Sequence, residues 1–464
     1  MENACFFFVS TGMVYVVESF RENMGLQIRN YIEPSGQRNS TIIDAETGLP
    51  MFWPTLYASS QLRAKGVSHS TLQSHHRAIL YLYKWGLILN IDIENRISTA
   101  DGFTRREIDT LITLLRSRIS ELPPLPSNSM KIVPINSFRI KNSDIWGALE
   151  EKTMQVNPST FNDRLDYVRR YILWLCDYMS DQDSLASKKK KEAIVGVGVQ
   201  FSKVLLSIKS VEPNTIFDEP KSLSNKDIRT ILQLINPLSS SNPWVGMNTR
   251  IRNFAIICLL LDTGLRSGEL LSLKLKDIVF DKKGAKGVKV KRRQGSKDDP
   301  RLVQPSSKRD ERELPISESA FKALDLYVTS VRNEYKDASR TDYLFISLSN
   351  HNFGIPLGSI TSITDMVRTV TQINLTPHKL RHTATWRFCT QQKKQGRKWD
   401  EFVEQLILKF GWRSEKSPSV RHYARQFIKD EMFESVIREQ DRINTEMKTL
   451  AETAMLELKD ETQS

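Results

Sequence analysis

The chain is poor in the residues that build covalent or metal frameworks. Its 464 residues hold four cysteines, Cys5, Cys176, Cys258 and Cys389, far apart and without a CxxC pair. Neither a disulfide scaffold nor a cysteine zinc site is therefore expected. Cys176 in "YILWLCDYM" and Cys258 in "FAIICLLLDTG" sit in apolar runs and read as reduced core residues of a cytoplasmic protein. Asp/Glu clusters at metal spacing are lacking near the motifs described below, so no metal or other cofactor is expected. The apolar start, "MENACFFFVSTGMVYVVESF", has no basic leader and no small-residue cleavage site, and it carries Glu2 and Glu18. It reads as neither a signal peptide nor a membrane span, and the alternation in "MVYVVES" predicts a short strand or hairpin. No later run is long and apolar enough to cross a bilayer, so no membrane partner is expected. No internal repeat is found.

What is present is positive charge. Lys and Arg number 67 against 54 Asp and Glu, a net +13 with a pI near 9.4. Each cation set on a phosphate releases a counterion, so the excess points to a polyanion, most simply nucleic acid. An idle basic surface is the alternative. With 39% apolar and 26% charged residues, the chain can bury two or three cores. Residues 1–50 read as a small N-terminal appendage or accessory segment, ending in the turn-rich "EPSGQRNSTIIDAETGLP". Residues 51–212 read as an all-helical domain. Ser68 or Ser70 would cap one of its helices, and Ser159/Thr160 would cap "FNDRLDYVRRYILWLCDYM", with Arg164, Arg169 and Arg170 on the polar side. The proline-rich "ELPPLPSNSMKIVPINSF" reads as a loop, and "SKKKKEA" as a solvated charge run able to meet phosphates. A linker around "SVEPNTIFDEPK" leads to residues 220–428. There the order is helices (251–262, 266–274), strand-like "GVKVKRR" and "ERELPIS", then helices: mostly α with a small antiparallel β-sheet, an α+β class. Residues 429–464 carry ten acidic and five basic side chains. Phe433, Val436, Ile443, Met447, Leu450, Ala454 and Leu458 recur at helical steps, predicting an amphipathic helix.

Four segments of the second domain could carry chemistry. In "LLLDTGLRSGELLSLKLKDI" a helix stops at Gly264 and another begins, with Arg266 at its start and Glu269 three residues on, placed to orient the guanidinium. Alone, such a pair is more often a structural salt bridge. A basic hairpin spans 286–312, with ten Lys/Arg against four acids. Its Lys308 could protonate a leaving alkoxide or simply touch DNA, and Lys297 is its rival. In "LTPHKLRHTATWRF", Thr376 is the expected N-cap and Pro377 the first helical residue, so His378 and Arg381 share a face at a positive helix end that favours an anion. His378 there suits a neutral base, and His382 could orient a neighbour. In "LILKFGWRSEKSPSVRHYARQF", Trp412 precedes a Tyr423 set among Arg413, Arg421, His422 and Arg425. On a polar segment the phenol pKa would be lowered by those cations.

Together, "TGLRSGEL", the Lys308 hairpin, "HKLRH" and "FGW…HYAR" resemble the tyrosine recombinase (phage integrase) family over about residues 220–428, and the helical domain before them resembles its core-binding domain. The resemblance implies that Arg266 and Arg381 clamp the non-bridging oxygens of a scissile phosphate and that Lys308 protonates the leaving 5′-oxygen. His378 would be the acid/base, Trp412 would fill the family's His/Trp position and Tyr423 would be the nucleophile, with Glu269 and His382 supporting. It further implies a site-specific recombinase or integrase working through a covalent 3′-phosphotyrosine without cofactor. The two domains would close on double-stranded DNA as a clamp, four protomers would join two sites, and the C-terminal helix would dock on a neighbour. An accessory directionality factor and a cytoplasmic, nucleoid-associated location follow the same resemblance. A resolvase or transposon recombinase of the same chemistry, and a catalytically silent DNA-binding regulator, are the alternatives.

Overall fold

The computed structural model describes residues 25–118, 156–182, 187–208, 222–280, 286–293, 296–305, 311–335, 341–349 and 354–461, with the short strand pair β1 (Phe8–Val9) and β2 (Gly12–Met13). The proline-rich loop, the linker before residue 222 and Lys308 lie outside the described residues. The chain divides into two compact units, Met1–Ile216 with Gly295–Asp298, and Phe217–Gln294 with Asp299–Ser464.

In the first unit an antiparallel hairpin, β3 (Leu26–Ile32) and β4 (Arg38–Asp44), packs on helices α1 (Phe52–Tyr57) and α2 (His69–Leu89). Ile42 is fully buried and Leu26 and Ile28 lean on the same core. The segment that the sequence reading sets apart as an appendage thus shares the helical core. Ser68 caps α2 by accepting from the Thr71 amide. Helices α3 (Ile93–Ser98) and α4 (Arg105–Arg116) lead to α5 (Pro158–Gln182) and α6 (Lys188–Ser207). The cap of α5 is Asn157, whose Oδ1 accepts from the Thr160 amide at 2.8 Å, two to three residues earlier than the expected Ser159/Thr160 cap. Arg164 is also not a polar-face residue: it donates to the Leu115 and Ser117 carbonyls at 2.7 and 2.6 Å and lies over the Tyr81 ring. It satisfies carbonyls at the C-terminal end of α4, sharing that of Ser117 with the Tyr81 hydroxyl.

Two histidines of α2 are buried in this core. His76 Nδ1 pairs with Ser40 Oγ at 2.8 Å, and His75 Nδ1 has no hydrogen-bond partner among the described residues. Burial first, then Arg170 for His75 and His75 for His76, pushes both pKa values down to about 4. The fold therefore favours the neutral rings: their contribution is complete above the unfolded pKa near 6.5 and is lost as pH falls toward 4. Each group carries on the order of 3 kcal/mol of this linkage. Thermal unfolding followed from pH 7 to 4.5 should show a falling midpoint for the first unit, and His75→Phe should flatten the slope. An unchanged slope in that variant would remove His75 from the account.

The second unit begins with α7 (Asn225–Ile235), closed by a capping box between Ser224 and Asp227. Helices α8 (Met247–Thr263) and α9 (Ser267–Leu271) replace the expected 251–262 and 266–274. A three-stranded antiparallel sheet follows, β5 (Ile278–Phe280), β6 (Lys286–Val290) and β7 (Arg312–Pro315), in that spatial order, with Val288 opposite Leu314 and Val290 opposite Arg312. Then come α10 (Glu318–Ser330), α11 (Thr361–Thr371), α12 (Pro377–Lys394), α13 (Trp399–Phe410) and α14 (Pro418–Glu461). The protein is mostly helical with small antiparallel sheets, the α+β class expected. Helix α8 is the axis of this unit: α10 and α12 pack on it, and its Leu259 and Leu260 are fully buried. Cys176 and Cys389 are buried free thiols and Cys258 is partly buried. No helix among the described residues is long and apolar enough to cross a membrane.

Candidate active site

Two helix ends and three helix starts meet in one place. Helix α8 stops at Gly264, whose φ is +66, and a Cβ there would lie 2.5 Å from Phe410 and 3.0 Å from Ala384. Only glycine permits both the left-handed turn and this contact. The Gly264 carbonyl accepts from Arg381 Nη1 at 2.6 Å, and Arg381 Nη2 also donates to the Phe410 carbonyl. Arg381 reaches them because Thr376 caps α12 through the Lys379 amide and Pro377 takes the first helical position, as the sequence predicts. The guanidinium is 4% exposed and sits over the Phe410 and Trp412 rings. Burial, then the charge of Arg266, pulls its pKa down to about 9, so it remains a cation at neutral pH.

Arg266 forms the N-cap of α9. Its Nη1 bonds Glu269 Oε1 at 2.9 Å, its backbone N–H bonds Glu269 Oε2 at 3.0 Å, and Nη2 donates to the Gly411 carbonyl at 3.2 Å. The i, i+3 pairing read from the sequence is present, but Glu269 serves a second cation that the sequence reading missed. Arg312 makes a two-pronged bond to both carboxylate oxygens, at 3.1 and 2.8 Å. Burial alone would raise the Glu269 carboxyl; the hydrogen bond and charge of Arg312, and then Arg266, hold it below its usual value. Two guanidiniums thus share one carboxylate, that of Arg381 feels its charge without bonding it, and no acid is among the residues lining the adjoining pocket. Such an excess of positive charge is relieved by an anion.

Arg266, His378, Arg381, His382, Trp412 and Tyr423 all line that pocket, with Ser417 and Ser419 from the start of α14 at its edge. Trp412 follows Gly411, a left-handed C-cap of α13 with φ +57, and stacks between Phe410 at 5.5 Å and Tyr423 at 5.7 Å. Tyr423 is 2% exposed, and its hydroxyl is hydrogen-bonded to His382 Nδ1. His378 meets His382 edge to face, ring centres 4.3 Å apart. Two expectations need correction here. Tyr423 is not on a polar segment but in a core cluster with Phe410, Trp412 and Phe427. Its pKa is accordingly raised well above the usual phenol value by burial, against the smaller pull of a hydrogen bond with Thr385 and then of the Arg381 charge. The histidine in contact with the phenol is His382 rather than His378. Lys297 groups with the first unit and does not line the pocket. Among the described residues no cluster of three or more His, Cys, Asp or Glu is arranged to hold a metal.

Residues 221–394 match the phage integrase family model. Transposase A from transposon Tn554 of Staphylococcus aureus is 34% identical over 161 residues, 34% of this chain and 40% of that protein. The chain thus spans about two fifths of the length of that relative. Tyrosine recombinase XerS of Streptococcus gordonii is 25% identical over 350 residues, covering 73% of this chain and 84% of XerS. Among solved structures, the XerH site-specific recombinase in a pre-cleavage complex with difH aligns over 81% of this chain and 83% of its own, at 15% identity and a TM-score of 0.43. The matched segment, 221–394, contains Arg266, Glu269, His378, Arg381 and His382, and over that segment the chain is similar to the phage integrase (tyrosine recombinase) family.

Proposed function

We propose that the protein is a site-specific DNA recombinase that cuts and rejoins duplex DNA through a covalent 3′-phosphotyrosine. The observation that carries this reading is one acid-free pocket that holds the guanidiniums of Arg266 and Arg381 and the phenol of Tyr423. Attack of the Tyr423 oxygen on phosphorus adds negative charge to the equatorial oxygens, where two guanidiniums stabilise it most. The phenolic proton passes to His382 Nδ1, its hydrogen-bond partner, with His378 edge to face against it as the second acid/base group. Lys308 protonates the departing 5′-oxygen. That role follows from the likeness of the basic hairpin to the family's. The covalent phosphodiester conserves the bond energy, so rejoining is the same displacement run backwards by a new 5′-hydroxyl. Capture of a covalent adduct on nicked suicide duplexes with randomised arms, mapped to Tyr423, tests the reading and also yields the target sequence.

The partner in this reading is double-stranded DNA, held by the helical first unit and the catalytic unit as a clamp, with two sites joined by four protomers in a cytoplasmic, nucleoid-associated setting. Likeness to a transposase favours movement of a mobile element, with resolution as the neighbouring possibility. The C-terminal helix is assigned to a neighbouring protomer. Phe433, Val436, Ile443, Met447 and Leu450 are each more than two fifths exposed along α14, an apolar stripe that a lone protomer leaves in water. A chain ending at about residue 430, by the helical spacing of that stripe, should still bind DNA but sediment on it as monomers and dimers. Unchanged tetramer assembly would assign the helix to its own protomer.

A further inference from the structure

We propose that Arg312 is a positioning residue for cleavage, aiming Arg266 at the scissile phosphate through Glu269 and Gly411; the inference rests on the recombinase reading above. Arg312 opens strand β7 opposite Val290, and it is not among the residues lining the pocket, so it acts through others. Its Nε donates to the Lys409 carbonyl at 3.0 Å, while Nη1 and Nη2 hold Glu269 Oε1 and Oε2 at 3.1 and 2.8 Å. With the two bonds from Arg266, four donors fall on one carboxylate whose side chain has no exposed surface. A carboxylate offers about four lone-pair sites, so this set is full and the group has no alternative orientation. The same guanidinium packs under the next turn. A Cβ on Gly411 would lie 2.8 Å from Arg312 Nη1, and the Gly411 carbonyl is the second acceptor of Arg266. One side chain therefore fixes both groups that hold Arg266.

Without Arg312, both oxygens of Glu269 become available to Arg266. The two would close into a two-pronged pair that draws the guanidinium away from the pocket. The expected loss is thus in the chemical step and specifically in the response to phosphate charge, with DNA affinity kept. The test uses full-length protein in single-turnover cleavage of nicked duplexes that carry either the natural phosphate or a neutral methylphosphonate at the scissile position. An enzyme whose Arg266 is misaimed gains less from the charge, so the ratio of the two cleavage rates reports on Arg266. In Arg312→Met and Arg312→Lys that ratio should fall by about tenfold or more, matching the fall in Arg266→Ala, and Arg266→Ala with Arg312→Met should fall no further. Should the methionine variant fail to fold, the lysine variant, which keeps a cation beside Glu269 but cannot span both oxygens and the Lys409 carbonyl, decides by the same ratio. Slower cleavage of both duplexes by equal factors overturns the proposal and leaves Arg312 a packing residue. Absence of any adduct with the unmodified protein defeats the recombinase reading instead, a separate outcome.

Discussion

Replacing Arg381 with alanine is expected to slow covalent cleavage of DNA by about 10²–10³-fold, the loss found when one donor to a developing oxyanion is removed. The geometry makes this variant costly in two ways. The guanidinium is one of two that face the pocket, and it is the more buried of the two. It also satisfies the carbonyls of Gly264 and Phe410, the last groups of two helices. Alanine leaves both carbonyls unpaired in a buried site, at about 1–3 kcal/mol each, so the thermal midpoint should drop along with the rate. Lysine separates the two effects. It restores a charge but not the planar fork, so it should recover part of the DNA response and little of the stability. Arg381→Lys at the unmodified cleavage rate would mean that no two-pronged clamp operates here.

Tyr423→Phe is expected to abolish the covalent adduct while leaving the fold and the affinity for duplex DNA in place. Phenylalanine fills the same space between Trp412 and Phe427, and the change removes only the hydroxyl and its bond to His382. One such hydrogen bond is worth about 1 kcal/mol, a small shift in the thermal midpoint. Denaturing electrophoresis of protein with labelled nicked duplex gives the answer directly. An adduct that persists in the variant places the nucleophile elsewhere. Burial favours the neutral phenol, so attack calls for a base, and His382→Ala should also slow cleavage, by about 10²-fold or more for a lost general base.

Much of the pocket was legible because its parts are local. Arg266 with Glu269, and His378 with Arg381, are i and i+3 pairs on single helices, and Thr376–Pro377 announces the start of α12. Short-range periodicity records such pairs directly. Arg312 left no comparable trace: its partner Glu269 is 43 residues away, and a strand-edge arginine in a basic hairpin looks like any other. The surroundings of Tyr423 were misread for the same reason. The charges flanking it in sequence, Arg421 and Arg425, are spread around a helix, while the rings that bury it, Phe410 and Trp412, come from the preceding segment. The cap of α5 moved to Asn157 because Asn, Ser and Thr all compete for that position, and sequence alone ranks them nearly equal. The hairpin at 26–44 was legible as turn-rich chain, but its packing against α2 depends on Ile42 finding a core that only the folded helices provide.

Helix α14 runs without interruption for 44 residues, a rod of about 66 Å at 1.5 Å per residue. The Tyr423 phenol sits on its second turn and the apolar stripe runs from Phe433 to Leu450. An uninterrupted helix has no loop in which to absorb displacement, so a load applied beyond Phe433 is carried toward the tyrosine's own backbone. Whatever grips the distal end therefore sets how readily the phenol can leave its berth beside Trp412.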